Sequence, residues 1–265
     1  MENGQSYASD PMSSRPQDVP TGPPKNFIAR IIGTLFSPGE TFTEMKWAPG
    51  LLIPIIFSIV FGATSGFLMS QRLDMPRMMR EKFNEAVADG KMKAEDADAQ
   101  AKMIGKFSGV QFIVIGALGS LLGSLIIAGI FKLVSMVMGH ENNFTSLLAV
   151  TLYVFVAVGL VTAVIMHILL RLKDPADITL DNLGNIVASN AGSWVALAMG
   201  EKALPKFVMG LLSRIDLFSI WIISLLSIGY AAVTHRMKTG TAATYLIGLY
   251  VIYALIASAV GAMFG

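Results

Sequence analysis

Five apolar stretches, at about residues 50–69, 110–138, 144–170, 216–235 and 243–264, constrain this chain more than any other feature. A helix rises 1.5 Å per residue, so about 20 apolar residues cover the ~30 Å hydrocarbon core of a bilayer. In that core every backbone polar group must find its partner within the protein, and a helix satisfies this inside one segment. The expected architecture is all-α: a polytopic transmembrane helical bundle with five spans plus interfacial helices. Its first partner is the lipid bilayer. Its expected location is a multi-pass integral position, in the plasma (inner) membrane if the source is bacterial.

Composition narrows the function classes. Hydrophobic residues make up 54%, charged residues 14%, and the mean hydropathy of +0.62 is too high for a soluble domain of this length. A net charge of +2 gives nucleic acid nothing to bind. The absence of cysteine excludes disulfides, thiolate metal sites and thiol nucleophiles. His140, His167 and His235 are too scattered to share a metal. The stretch His140-Glu141-Asn142-Asn143-Phe144 lacks the second histidine that would bind zinc from one helical face. There is no Walker loop, serine elbow or pair of intramembrane aspartates. The chain reads as a non-enzyme with no catalytic residue, cofactor or metal.

The polar segments divide it further. Residues 1–26 hold five of the eleven prolines and no apolar run, the pattern of a disordered tail without a signal peptide. Residues 27–48 form an amphipathic segment. Phe27, Ile28, Ile31, Ile32 and Leu35 recur at helical spacing beside Lys25 and Arg30. Ser37-Pro38-Gly39-Glu40 then offers an N-cap, a proline at the first helical position and a capping-box glutamate. The helix so started runs to about Lys46, with Phe42 and Met45 on one face. This segment either lies among the headgroups or packs on the bundle, and Trp47 fits an interfacial anchor.

Residues 49–265 make the membrane domain. Within it, 70–108 carries eight Lys/Arg and seven Asp/Glu and reads as a charged helical hairpin turning at Asp89-Gly90. Met75, Met79, Phe83, Ala86 and Val87 share one face of its first helix, and Ala94 starts its second. In 171–215, Glu201, Lys202, Pro205 and Lys206 interrupt the apolar pieces 183–200 and 203–213. Burying those charges would cost several kcal/mol, so two interfacial or re-entrant helices are expected rather than a sixth span.

Small residues recur every fourth position in three spans: Gly62 and Gly66; Gly116, Ser120 and Ser124, with Gly119 and Gly123 on an adjoining face; and Ala254, Ser258 and Ala262. Such stripes let helix backbones approach closely, either inside one chain or in a homo-oligomer. Gly119→Leu or Ser120→Leu is expected to impair that approach. Lys132, His167 and Asp216 are the candidates for a polar membrane site, with His235 a fourth ionisable group. Lys132 shares a membrane face with His235, and His167 shares the other with Asp216. Snorkelling and N-capping explain them equally well.

Three stretches together resemble the Yip family, the Ypt/Rab-interacting-protein domain, and most closely its bacterial branch. They are Phe36-Ser37-Pro38-Gly39-Glu40-Thr41-Phe42, the charged helical loop after the first span, and residues 215–230, with Asp216, Phe218, Trp221 and Gly229. The Asp-Leu-Tyr-Gly-Pro motif of eukaryotic members is not present, so the resemblance does not by itself imply Rab binding, and whether any GTPase binds stays open. The resemblance implies five spans, no enzymatic activity, and a membrane-organising or trafficking-like scaffold acting through membrane-protein partners whose identity the sequence does not give. The alternative reading is a small transporter or channel component. Orientation is contested: six Lys/Arg lie on the N-terminal side and thirteen on the other, which by the positive-inside rule places the large loops in the cytoplasm. The resemblance implies a cytoplasmic N-terminus.

Overall fold

The computed structural model describes residues 23–200 and 203–264. Most of the segment expected to be a disordered tail, and Glu201 and Lys202, lie outside the described residues. Within them the chain is helical, without strands.

Four helices are long and apolar enough to cross a membrane: α3 (Leu52–Ser70), α5 (Ala94–Val137), α6 (Phe144–Leu172) and α11 (Thr239–Phe264). The fourth expected span forms α10 (Leu217–Val233), apolar but only 17 residues, or about 25 Å. It stops short of residue 235 because tertiary bonds take over: the His235 amide donates to the Glu141 carbonyl at 2.8 Å, and Thr234 bridges to Asn142. The same numbering covers α1 (Phe27–Phe36), α2 (Pro38–Met45), α4 (Met75–Ala88), α7 (Leu180–Leu183), α8 (Ala191–Met199) and α9 (Lys206–Arg214).

The core follows α6. Its first half, Leu147 to Val158, is buried by α1, α2, α5 and α10, and Tyr153 and Tyr230 are among the largest enclosed side chains. Thr151 Oγ1 and the Tyr230 hydroxyl share a hydrogen bond of 2.6 Å, which satisfies two polar groups that have no water to turn to. The outside of the bundle is apolar instead of polar: Val110, Leu122 and Ile126 of α5 are 63%, 52% and 60% exposed. Such a continuous apolar surface is what lipid solvates and water does not.

The charged hairpin forms as α4 and the start of α5, but the second helix does not end before the span. α5 continues unbroken for 44 residues, about 66 Å. Gly105 does not break it, because that glycine admits Pro76 of α4 against the helix backbone. Met78 is the fully buried residue of α4, and Met75, Met79 and Phe83 are partly covered around it. Arg77 ties the hairpin to the next loop by donating to the carbonyls of Pro175, Ala176 and Ile178, each at 2.7 Å. Asp98 reaches across to Arg80 at 3.4 Å.

Among the described residues of 183–213 there is no helix long enough to cross a membrane. Gly200, at φ +93°, ends α8, and Pro205 precedes α9; each helix has nine residues, about 13 Å. Both α9 and α10 pack along α11, with the helix interrupted between them at Ile215-Asp216. Arg214 Nη1 donates to the Tyr253 hydroxyl at 3.0 Å, and the Tyr250 hydroxyl donates to the Arg214 carbonyl at 2.6 Å. Both tyrosines sit about midway along α11.

Candidate functional site

Polar chemistry concentrates where α1 and α2 fold over the ends of α6 and α10. The helix α1 is amphipathic in an inverted sense: Arg30 and Thr34 face inward, while Ile28, Ile32 and Phe36 are 68%, 54% and 80% exposed. Arg30 accordingly does not flank the apolar face as a headgroup contact. Its Nε and Nη2 donate to Glu44 Oε1 of α2 at 3.1 and 2.5 Å, Nη2 also to the Ala48 carbonyl at 2.7 Å, and Nη1 to the Pro49 carbonyl at 3.2 Å. Tyr153 of α6 lies beside the guanidinium, its ring centroid 5.7 Å away. The planar fork of arginine suits this many-partnered role, which a lysine could not fill. Sequence periodicity did not find the pair, because its members lie on two helices. The available signal was an arginine on an otherwise apolar helix followed by an acid on the next one.

The expected capping box at Ser37 does not form. The Ser37 amide is already the C-cap of α1, donating to the Gly33 carbonyl at 2.8 Å, so Glu40 has no free N–H to accept from. Glu40 instead pairs with Lys25 at 3.7 Å, in the open. Pro38 does begin α2, and Phe42 and Met45 are both fully buried. The Phe42 ring packs close to Gly229 of α10, where an added Cβ would lie 3.0 Å from the ring and would collide with Val150. Phe218 and Trp221 support the same core from further along α10. The two sequence stretches Phe36–Phe42 and 215–230 are thus joined in space.

Beside this junction a recess of about 560 Å³ opens among Lys46, Trp47, Lys132, Glu141, Asn142, Ser146 and His235. Lys132 and His235, placed on one face by the sequence, both line it. Lys132 Nζ donates to the Asn142 carbonyl at 2.5 Å. No cluster of three His, Asp or Glu among the described residues could hold a metal.

A family model for the Yip1 domain matches residues 32–261, nearly the whole membrane portion. The chain belongs to the Yip1 domain family. It is a membrane protein, with apolar helices that contact lipid. No curated protein and no solved structure matches it significantly.

The Yip1 domain thus begins inside α1 and ends inside α11, and the Phe42–Gly229 contact lies within it. His167 and Asp216, expected on one face, have separate partners. His167 Nε2 meets Ser65 Oγ of α3 at 2.9 Å. Asp216 caps α10, accepting from the Ser219 amide at 2.9 Å, and also accepts from Ser189 Oγ. Among the small residues, Gly62 and Gly116 face each other, and Gly66 faces the Phe112 carbonyl. A Cβ added at Gly123 would meet the Phe155 ring at 3.4 Å, and Ser124 is buried, donating to the Ser120 carbonyl at 2.7 Å. Gly119 has nothing within 4 Å of an added Cβ.

Proposed function

We propose that this Yip1 domain is a non-enzymatic, membrane-organising scaffold of trafficking-like type, acting through partner contacts of its polar loops. What supports this reading is the use of the ionisable groups in and near the spans. Lys132, His167 and Asp216 are each held by a structural bond to a carbonyl, a serine or a helix end. The reading includes α10 as a fifth crossing completed at the level of the Ile215-Asp216 break, α8 and α9 as a re-entrant pair, and a cytoplasmic N-terminus. α1 lies in one leaflet of the plasma membrane with Ile28, Ile32 and Phe36 among the acyl chains.

One observation favours a transporter instead: helix breaks within membranes often line ion or substrate sites, and Asp216 stands at such a break. Reconstituted protein in vesicles loaded with a pH-sensitive dye separates the two. The scaffold gives cation and proton flux equal to empty vesicles, whereas flux abolished by Asp216→Asn would establish the transporter. Crosslinking the full chain in native membranes should at the same time capture a discrete partner that charge reversal at Arg80 and Lys82 releases.

Orientation is tested by a reporter active only in the cytoplasm. Fused at residue 1 it should be active, and fused at residue 90, in the α4–α5 turn, silent. The opposite pattern would vindicate the basic-residue count and invert the assignment.

A further inference from the structure

We infer that the recess at Lys46 and Lys132 holds the headgroup of an anionic phospholipid, with its phosphate on the two lysines and its hydroxyls on Asn142 and Glu141. This goes beyond the scaffold reading and holds equally for a transporter. The recess has the volume for a headgroup, about 560 Å³, and is broadly open. Its position relative to lipid is given by α5. Ile130, Leu133 and Met136, on either side of Lys132, are 42%, 58% and 56% exposed, so the lysine leaves an apolar surface to reach the recess. That is the path of a snorkelling side chain at a bilayer boundary.

Trp47 stands half exposed at the rim, with Lys46 Nζ 5.2 Å from its ring centroid. A tryptophan beside a lysine is the usual furniture of the headgroup level. Lys132 uses one of its three N–H donors on the Asn142 carbonyl and keeps two for a ligand. Asn142 lines the same recess, and its Oδ1 is buried without a partner. Its Nδ2 is engaged with Ser135 Oγ at 2.6 Å, so the free oxygen is a committed acceptor. Two cations against one carboxylate, with acceptors alongside, match a group carrying both a phosphate and hydroxyls. A soluble phosphate ester has the same chemistry, but the apolar flank of α5 and Trp47 would contribute nothing to it.

The test uses the full chain purified in detergent with equal phosphatidylglycerol and phosphatidylcholine, the retained lipid being read by native mass spectrometry. Each basic side chain near an anionic headgroup contributes about fivefold, so the wild type should favour phosphatidylglycerol by about 25-fold. Lys46→Gln, an exposed change that leaves the core intact, should cut this to about fivefold. Lys132→Gln should do the same, while Lys91→Gln, in the distant α4–α5 turn, should leave it unchanged. Equal retention of both lipids by the wild type overturns the inference. So does an undiminished preference in Lys46→Gln, or displacement of the lipid by millimolar glycerol 3-phosphate, which would assign the recess to a soluble ester.

Discussion

Replacing Arg30 by methionine is expected to cost about 3–5 kcal/mol of stability, the largest effect of any single polar substitution in this chain. The Arg30 side chain is 4% exposed and that of Glu44 12%, so bulk water compensates neither charge. Without Arg30, Glu44 Oε1 keeps only the Lys25 amide at 2.9 Å, and the carbonyls of Ala48 and Pro49 lose their donors. An uncompensated buried carboxylate is the costly part. Removing both charges in Arg30→Met/Glu44→Met should therefore recover much of the loss, since a buried pair contributes little net stability over an apolar replacement. Thermal unfolding in detergent measures both variants. A single variant within about 0.5 kcal/mol of wild type would show that the pair is solvated after all.

The cost should also be localised. Arg30 fastens α1 to the α2–α3 turn, where Gly50, at φ +57°, lies directly under the guanidinium. Its loss should free the α1–α2 cover from α6 and α10 first, raising hydrogen exchange in residues 27–45 before it rises in α5 or α11.

What the sequence made legible was governed by lipid. The bilayer imposes length and apolarity on a crossing helix, so α3, α5, α6 and α11 could be read from runs of residues alone. Where an element ends by tertiary pairing the reading failed. α10 stops at Val233 because Thr234 and His235 bond to the 141–142 segment, and Ser37 loses its capping box because its amide serves the preceding helix. The start of α5 at Ala94 was legible, but not its fusion with the span, which runs through Gly105 where Pro76 packs on the helix. The candidate site divides in the same way. A shared membrane face put Lys132 with His235, and both line one recess. The same reasoning grouped His167 with Asp216, yet a shared depth does not fix the direction around the bundle. Arg30 and Glu44, fourteen residues apart across a turn, left no periodic trace.

The small-residue stripes give the second large effect, and a correction. A Cβ at Gly62 would strike the Gly116 carbonyl, one at Gly116 the Gly62 carbonyl, and one at Gly66 the Phe112 carbonyl. These obstacles are backbone atoms, which cannot turn aside as a flexible side chain can. In lipid no hydrophobic effect draws α3 to α5, so their association rests on this close approach. Gly62→Leu and Gly116→Leu are each expected to cost at least about 1–3 kcal/mol, the range for overpacking, and to reduce the yield of folded protein. Gly119→Leu, expected from spacing to do the same, should stay within about 0.5 kcal/mol of wild type, because its position is open within the chain. Gly119 is then a sensor of something else. If the chain forms a homo-oligomer through the Gly119–Gly123 face, the leucine should shift the particle to a smaller size in gel filtration without lowering the melting temperature. Intact size together with unaltered melting would leave that face to lipid. Retention of the melting temperature with Gly62→Leu would mean that α3 and α5 do not meet at these glycines.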